Sequence, residues 1–232
     1  MQRPELDQES QNLLRRIVER QAYRQLMAAN IRGHGLKFVP ELEEKVLLAR
    51  DLEHSLRILE QVEKLYAAIG GTDLSMAVRN PMDRIPYPSS RLELAVCLSL
   101  CDCAERIAAS GYQHSRSKDF AAIARSLLAR DRTSTKNGEN LFIEFCAEAG
   151  NRAGAQQMLN RWLSIALLAL GRPGTQGDER AVALKLRTKR CGESVREFLD
   201  ELKPFLAACQ LHLPSTSTLG LELPADLVAA KH

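Results

Sequence analysis

The stretch PELEEKVLLARDLEHSLRILEQVEKLYAAI, residues 40–69, decides the fold class. Glu43, Arg50, Arg57 and Lys64 recur along it every seven residues, with Glu53 and Glu60 beside them. Leu48, Leu52, Leu59, Val62 and Tyr66 occupy the other side. At ~100° per residue the two sets lie roughly 180° apart, so the spacing predicts one long helix with a solvated stripe and a buried stripe. Nothing breaks it before Gly70-Gly71, which reads as a C-terminal cap. A helix this long buries its apolar stripe against near-antiparallel neighbours, which is the packing of a bundle.

Working outward, glycine and proline punctuate the chain and leave helical segments at roughly 5–31, 90–110, 117–133, 139–170 and 178–210. No segment alternates as a strand does. Val78 to Pro88 reads as an ordered loop, because three prolines restrict it. Ser89-Ser90 before Arg91-Leu-Glu93 reads as an N-cap with an acid in the first turn. Segment 92–108 is apolar around most of its circumference and reads as a central helix whose interior acids, Asp102 and Glu105, each need a partner. The expected fold is all-α: a helical bundle domain over residues 1–213, and a tail of little structure from Pro214 to His232.

Composition narrows the function classes. The 232 residues carry 32 Lys+Arg against 29 Asp+Glu, a net +3, with 5 % aromatic residues, which is a poor match to a nucleic-acid binder. The longest apolar stretch, Leu163 to Leu170, is far short of the ~20 residues that span a bilayer, and the first residues lack an apolar signal region. The expectation is a cytoplasmic protein with no membrane partner. Cys97, Cys101, Cys103, Cys146, Cys191 and Cys209 lack paired C-x-x-C spacing, so they read as reduced thiols packed as small hydrophobes. Nucleophile elbow, Walker loop and dinucleotide fingerprint are all missing.

Two constellations remain. A bundle can hold a di-metal site in which an acid and a histidine three residues later share a helix face, and Asp51-x-x-His54 is the near match. Its alternative is a boundary hydrogen-bonded pair. Lys185, Arg187, Lys189 and Arg190 form a cationic cluster near Arg180, either a contact for a phosphate-bearing ligand or the solvated face of a helix.

The segment Ala155-Gln-Gln-Met-Leu-Asn-Arg-Trp-Leu-Ser-Ile-Ala-Leu, then Gly171-Arg-Pro, Ala183-Leu-Lys-Leu-Arg and Val195-Arg-Glu-Phe-Leu-Asp, resembles the catalytic-subunit branch of the phenylacetic acid catabolic family. Lys45-Val-Leu-Leu-Ala-Arg is similar to the start of that family's second bundle helix, and the resemblance runs from about Tyr23 to Pro214. It implies a ferritin-like bundle with additional C-terminal helices. In the family, the epoxidase subunit uses a di-iron centre and O₂ on phenylacetyl-CoA, with reductase and structural subunits as partners. The resemblance lays the first-helix glutamate on Gln25, the second-helix acid and histidine on His54 and Arg57, and the third-helix aspartate on Asp102. The fourth-helix acid falls on Asp131 and its histidine on Ser134.

Arg57 cannot ligate a cation and Gln25 supplies no charge, so the implied di-iron site is degenerate. Periodicity also puts Arg57 in the solvated stripe; either this helix face has rotated outward, or the register shifts by three residues and Asp51 and His54 are the pair. Thr133 to Gly138 is poor in helix propensity, so a helix break is expected there. The leading expectation is a non-catalytic structural or regulatory member, with no catalytic residue and no cofactor. It would form a homo-oligomer, or a hetero-oligomer with a related ferritin-like subunit. The alternatives are a divergent oxygenase holding iron on Gln25, Asp51, His54, Asp102 and Asp131, or a helical interaction module. Were an acyl-CoA ligand retained, Lys185 and Arg187 would contact its phosphates.

Overall fold

The computed structural model describes residues 6–82 and 86–219, all of them helical or in turns and connecting segments, with no strand. The chain is an all-α helical bundle protein whose packing separates into two compact units. The first comprises Met1–Tyr87, Ala109–Arg130 and Glu179–Thr188; the second comprises Pro88–Ala108, Asp131–Asp178 and Lys189–His232. The part of the expected tail from residue 220 onward lies outside the described residues.

The first unit is built on α1 (Gln8–Gly35) and α2 (Leu42–Ala68). Asp7 starts α1 by accepting the Ser10 N–H at 2.8 Å. Leu14, Ile17, Val18 and Ala22 fall three and four residues apart, so they make one stripe. That stripe joins Ile58, Val62 and Leu65 of α2 in the core. Arg57, Arg50, Lys64, Glu53 and Glu60 are exposed, as the seven-residue spacing requires, and Leu48, Val62 and Tyr66 are buried. Leu52 and Leu59 are only half-buried, because the buried face is centred on Asp51, Ser55, Ile58 and Val62. Gly70 ends α2 at φ +79°, with Gly71 N–H donating to Tyr66 O and Gly70 N–H to Ala67 O, a Schellman cap.

α3 (Leu74–Met82) occupies the start of the stretch expected to be a loop. Asp73 accepts the Met76 N–H at 3.1 Å, and this cap starts a helix that takes in the first of the three prolines, Pro81. α5 (Lys118–Leu128) completes the core with Phe120, Ile123 and Leu127 and is capped by Ser117.

The second unit is organised by α4 (Arg91–Ser110), whose Leu94, Val96, Cys97, Leu98, Leu100, Ala104 and Ile107 are all buried, as expected of a central helix. The expected 139–170 helix is two, α6 (Thr133–Ala147) and α7 (Arg152–Ala169), parted by a 3₁₀ turn at Ala149–Asn151. Glycine at 150 disfavours continuation, and Arg152 Nε caps the end of α6 through Cys146 O at 3.0 Å. The expected 178–210 helix likewise divides into α8 (Gln176–Ala183) and α9 (Cys191–Cys209). α8 stops at Lys185 in the left-handed region, φ 56°, with Leu186 N–H on Ala181 O and Lys185 N–H on Val182 O. Thr216–Leu219 adds a single helical turn, α10.

The break expected at Thr133 to Gly138 falls earlier, over Ala129 to Arg132; the run itself is the first part of α6. Asp131 accounts for this. Its carboxylate accepts both the Thr133 N–H, at 3.0 Å, and the Thr133 Oγ1, at 2.8 Å, and so starts a helix from residues of poor propensity.

Candidate functional site

Of the metal-ligand candidates, Gln25, Asp51 and His54 belong to the first unit, and Asp102 and Asp131 to the second. Gln25 on α1 and Asp51 on α2 are buried, and His54 is half-buried. One turn after Asp51, Ser55 Oγ donates to the Asp51 carbonyl and accepts from the fully buried Arg32 at 3.3 Å. Arg57 is 68 % exposed and pairs with Glu53 one turn earlier, so it faces water as its place in the charged stripe requires. Asp131 is exposed and occupied in capping α6. Asp102 is 4 % exposed and accepts the Thr135 hydroxyl at 2.8 Å. Among the described residues, neither unit contains a group of three or more His, Cys, Asp or Glu side chains that could hold a metal ion.

Lys185 and Arg187 do not lie on a late helix; they lie in the turn segment between α8 and α9. Lys185 is exposed and forms the cap of α8. Arg187 is 4 % exposed, with its guanidinium 5.4 Å from the Tyr112 ring centre. That is neither a solvated helix face nor an open phosphate contact: half of the cationic pair is structural, held by a cation–π contact.

A concave site with convergent polar groups lies within the second unit, where a cavity of about 370 Å³ is lined by α4, α6 and α9. Ser99 and Cys103, four residues apart, come from α4; Glu139 and Ile143, also four apart, come from α6; Glu201, Leu202, Phe205 and Ala208 come from α9. Arg132 enters from the residue preceding α6. These spacings follow from the helix repeat, which aligns positions three and four apart on one face. Phe205 also stacks on Phe142, with ring centres 5.9 Å apart, and this fixes the apolar wall.

The charges in the cavity are unequally supplied. Glu201 is paired with Arg106 and accepts the Cys103 thiol at 3.4 Å. Burial works against its ionised form, but Arg106 outweighs that and holds the carboxyl below its ordinary range. Burial, followed by the charge of Glu201, pushes the Cys103 thiol up to about 12, which favours the protonated form. Cys103 is buried, as expected of a cysteine packed as a small hydrophobe. Among the described residues, Arg132 and Glu139 make no side-chain hydrogen bond and no ion pair, and Arg132 Nε is shielded from solvent. Burial, the largest influence, and the charge of Asp102 raise the Glu139 pKa against the pull of Arg132 and Lys136.

Sequence reading singled out none of these cavity residues except Cys103, as a packed thiol. The available signal was the i, i+4 pairing of Ser99 with Cys103 and of Glu139 with Ile143; three segments that meet only in the folded chain supply the rest. Compared with known protein families and with curated proteins, the chain matches no family model and no curated protein.

Proposed function

We propose that the chain is a non-catalytic member of the phenylacetic acid catabolic family, ferritin-like in its bundle, that works as a structural or regulatory subunit beside a related subunit or its own copy. One observation carries this reading: the positions that the resemblance aligns with metal ligands do other work. Arg57 sits in an exposed ion pair with Glu53, and Asp131 is spent on capping α6. Di-iron chemistry needs several anionic and imidazole donors converging on the metal. An amide, an exposed arginine and an exposed capping aspartate do not fit that requirement, and no catalytic step is assigned to iron.

The test is metal content per chain by plasma mass spectrometry, on protein from iron-supplemented medium and after anaerobic reconstitution with ferrous ion. Background iron in both preparations is expected, together with an oligomer in sedimentation velocity when the chain is alone or mixed with a family subunit. Near-stoichiometric iron that disappears in Asp102→Ala would overturn the reading in favour of a divergent oxygenase.

A further inference from the structure

We infer that the cavity of the second unit binds a small zwitterion of the α-amino acid class with an apolar side chain, its carboxylate on Arg132, its ammonium on Glu139 and its side chain against Ile143, Leu202 and Phe205. The starting point is the pair of opposite charges that line one cavity and attract each other across it without a hydrogen bond or ion pair to the protein among the described residues. Every other polar group there is engaged: Glu201 with Arg106 and Cys103, and the Ser99 hydroxyl with Ala95 O at 2.8 Å. The guanidinium of Arg132 offers a planar fork that matches a carboxylate, and the Glu139 carboxylate accepts from an ammonium group.

Charge balance excludes simpler ligands. A monoanion that met Arg132 would also face Glu139 and Glu201, and a monocation that met Glu139 would face Arg132. A molecule carrying both signs satisfies the two open groups at once. Its ammonium also restores to Glu139 the favourable partner that burial removes. The volume, about 370 Å³, falls at the small end of the ~300–1,000 Å³ typical of ligand sites. The wall of Ile143, Leu202, Pro204, Phe205 and Ala208 provides the apolar surface that selects the side chain.

The experiment is isothermal titration calorimetry on the full chain with L-phenylalanine, L-leucine, 3-phenylpropionate, which lacks the ammonium, and 2-phenylethylamine, which lacks the carboxylate. Saturable binding of both amino acids is expected, with each truncated analogue at least about tenfold weaker, the order of one lost charge-assisted contact. Arg132→Met and Glu139→Gln should each weaken L-phenylalanine binding by a similar factor, and Ile143→Trp, which fills the cavity, should abolish it. Arg132 precedes the first residue of α6, so circular dichroism accompanies each variant; Glu139→Gln and Ile143→Trp, within the helix, carry the test if Arg132→Met unfolds. No saturable heat with either amino acid, equal affinity for 3-phenylpropionate or 2-phenylethylamine, or unchanged affinity in Glu139→Gln and Ile143→Trp would each overturn the assignment.

Discussion

Glu93, at the start of α4, and Glu139, on the cavity side of α6, are two acids of the second unit in opposite circumstances. Glu93 is 4 % exposed and accepts four hydrogen bonds: from Ser89 N and Oγ at 2.7 and 2.6 Å, from Trp162 Nε1 at 3.0 Å and from Arg161 at 2.8 Å. Glu139 accepts none among the described residues. Burial disfavours the ionised form of both. At Glu93 the bonds from Ser89 and Trp162 and the charge of Arg161 outweigh it and hold the carboxyl low, whereas at Glu139 burial prevails and the pKa rises. A carboxyl that serves as architecture is fully supplied with donors, and one left without them is available to something else.

The contrast is sharpest in stability. Glu93→Ala strands the Trp162 N–H, the Ser89 donors and part of the Arg161 charge, and should cost about 3 kcal/mol in urea unfolding, the order expected when one partner of a buried charged network is removed. Acid should narrow that difference. Folding lowers the Glu93 pKa, so the part of its contribution that depends on ionisation is fully present above the ordinary carboxyl value of 4.5 and is lost as the pH falls through the depressed value. Wild type and Glu93→Ala measured across that range should draw closer at low pH, the stranded donors of Ser89 and Trp162 keeping a residual gap. Glu139→Gln should be neutral or stabilising by less than about 1 kcal/mol at neutral pH, since the burial it relieves outweighs the attraction of Arg132 and Lys136 that it gives up. A loss as large as that of Glu93→Ala would break the comparison. Arg57→Ala sets the baseline at a few tenths of a kcal/mol, because its pair with Glu53 is exposed and spans one helical turn.

The sequence was legible where a single local rule determined the outcome. α2 could be read from its seven-residue charge spacing, and its end from Gly70, because glycine is the usual residue at φ +79°. The same Schellman cap ends α8 and α9, but there Lys185 and Gln210 take the left-handed conformation at φ 56° and 54°. Neither residue type announces such a stop, so two helices read as one across Lys185. Asp131 misleads in a similar way: it resembles a ligand position, and its side chain turns out to be what starts α6. The cavity was hidden for a different reason. Its residues come from 99–103, 132–143 and 201–208, and the property that marks it, two opposite charges facing one cavity without a hydrogen bond or ion pair, exists only once the chain has folded.

The interleaving of the two units limits how the molecule can be taken apart. The backbone passes from one unit to the other after Tyr87, Ala108, Arg130, Asp178 and Thr188, and the passage at Ala108 occurs inside α4, with no loop between. No single cut releases either unit as a continuous polypeptide. Limited proteolysis at any one crossing would leave both fragments with an unfinished core, so complementation between nicked fragments, rather than expression of isolated pieces, is the expected way to divide this fold.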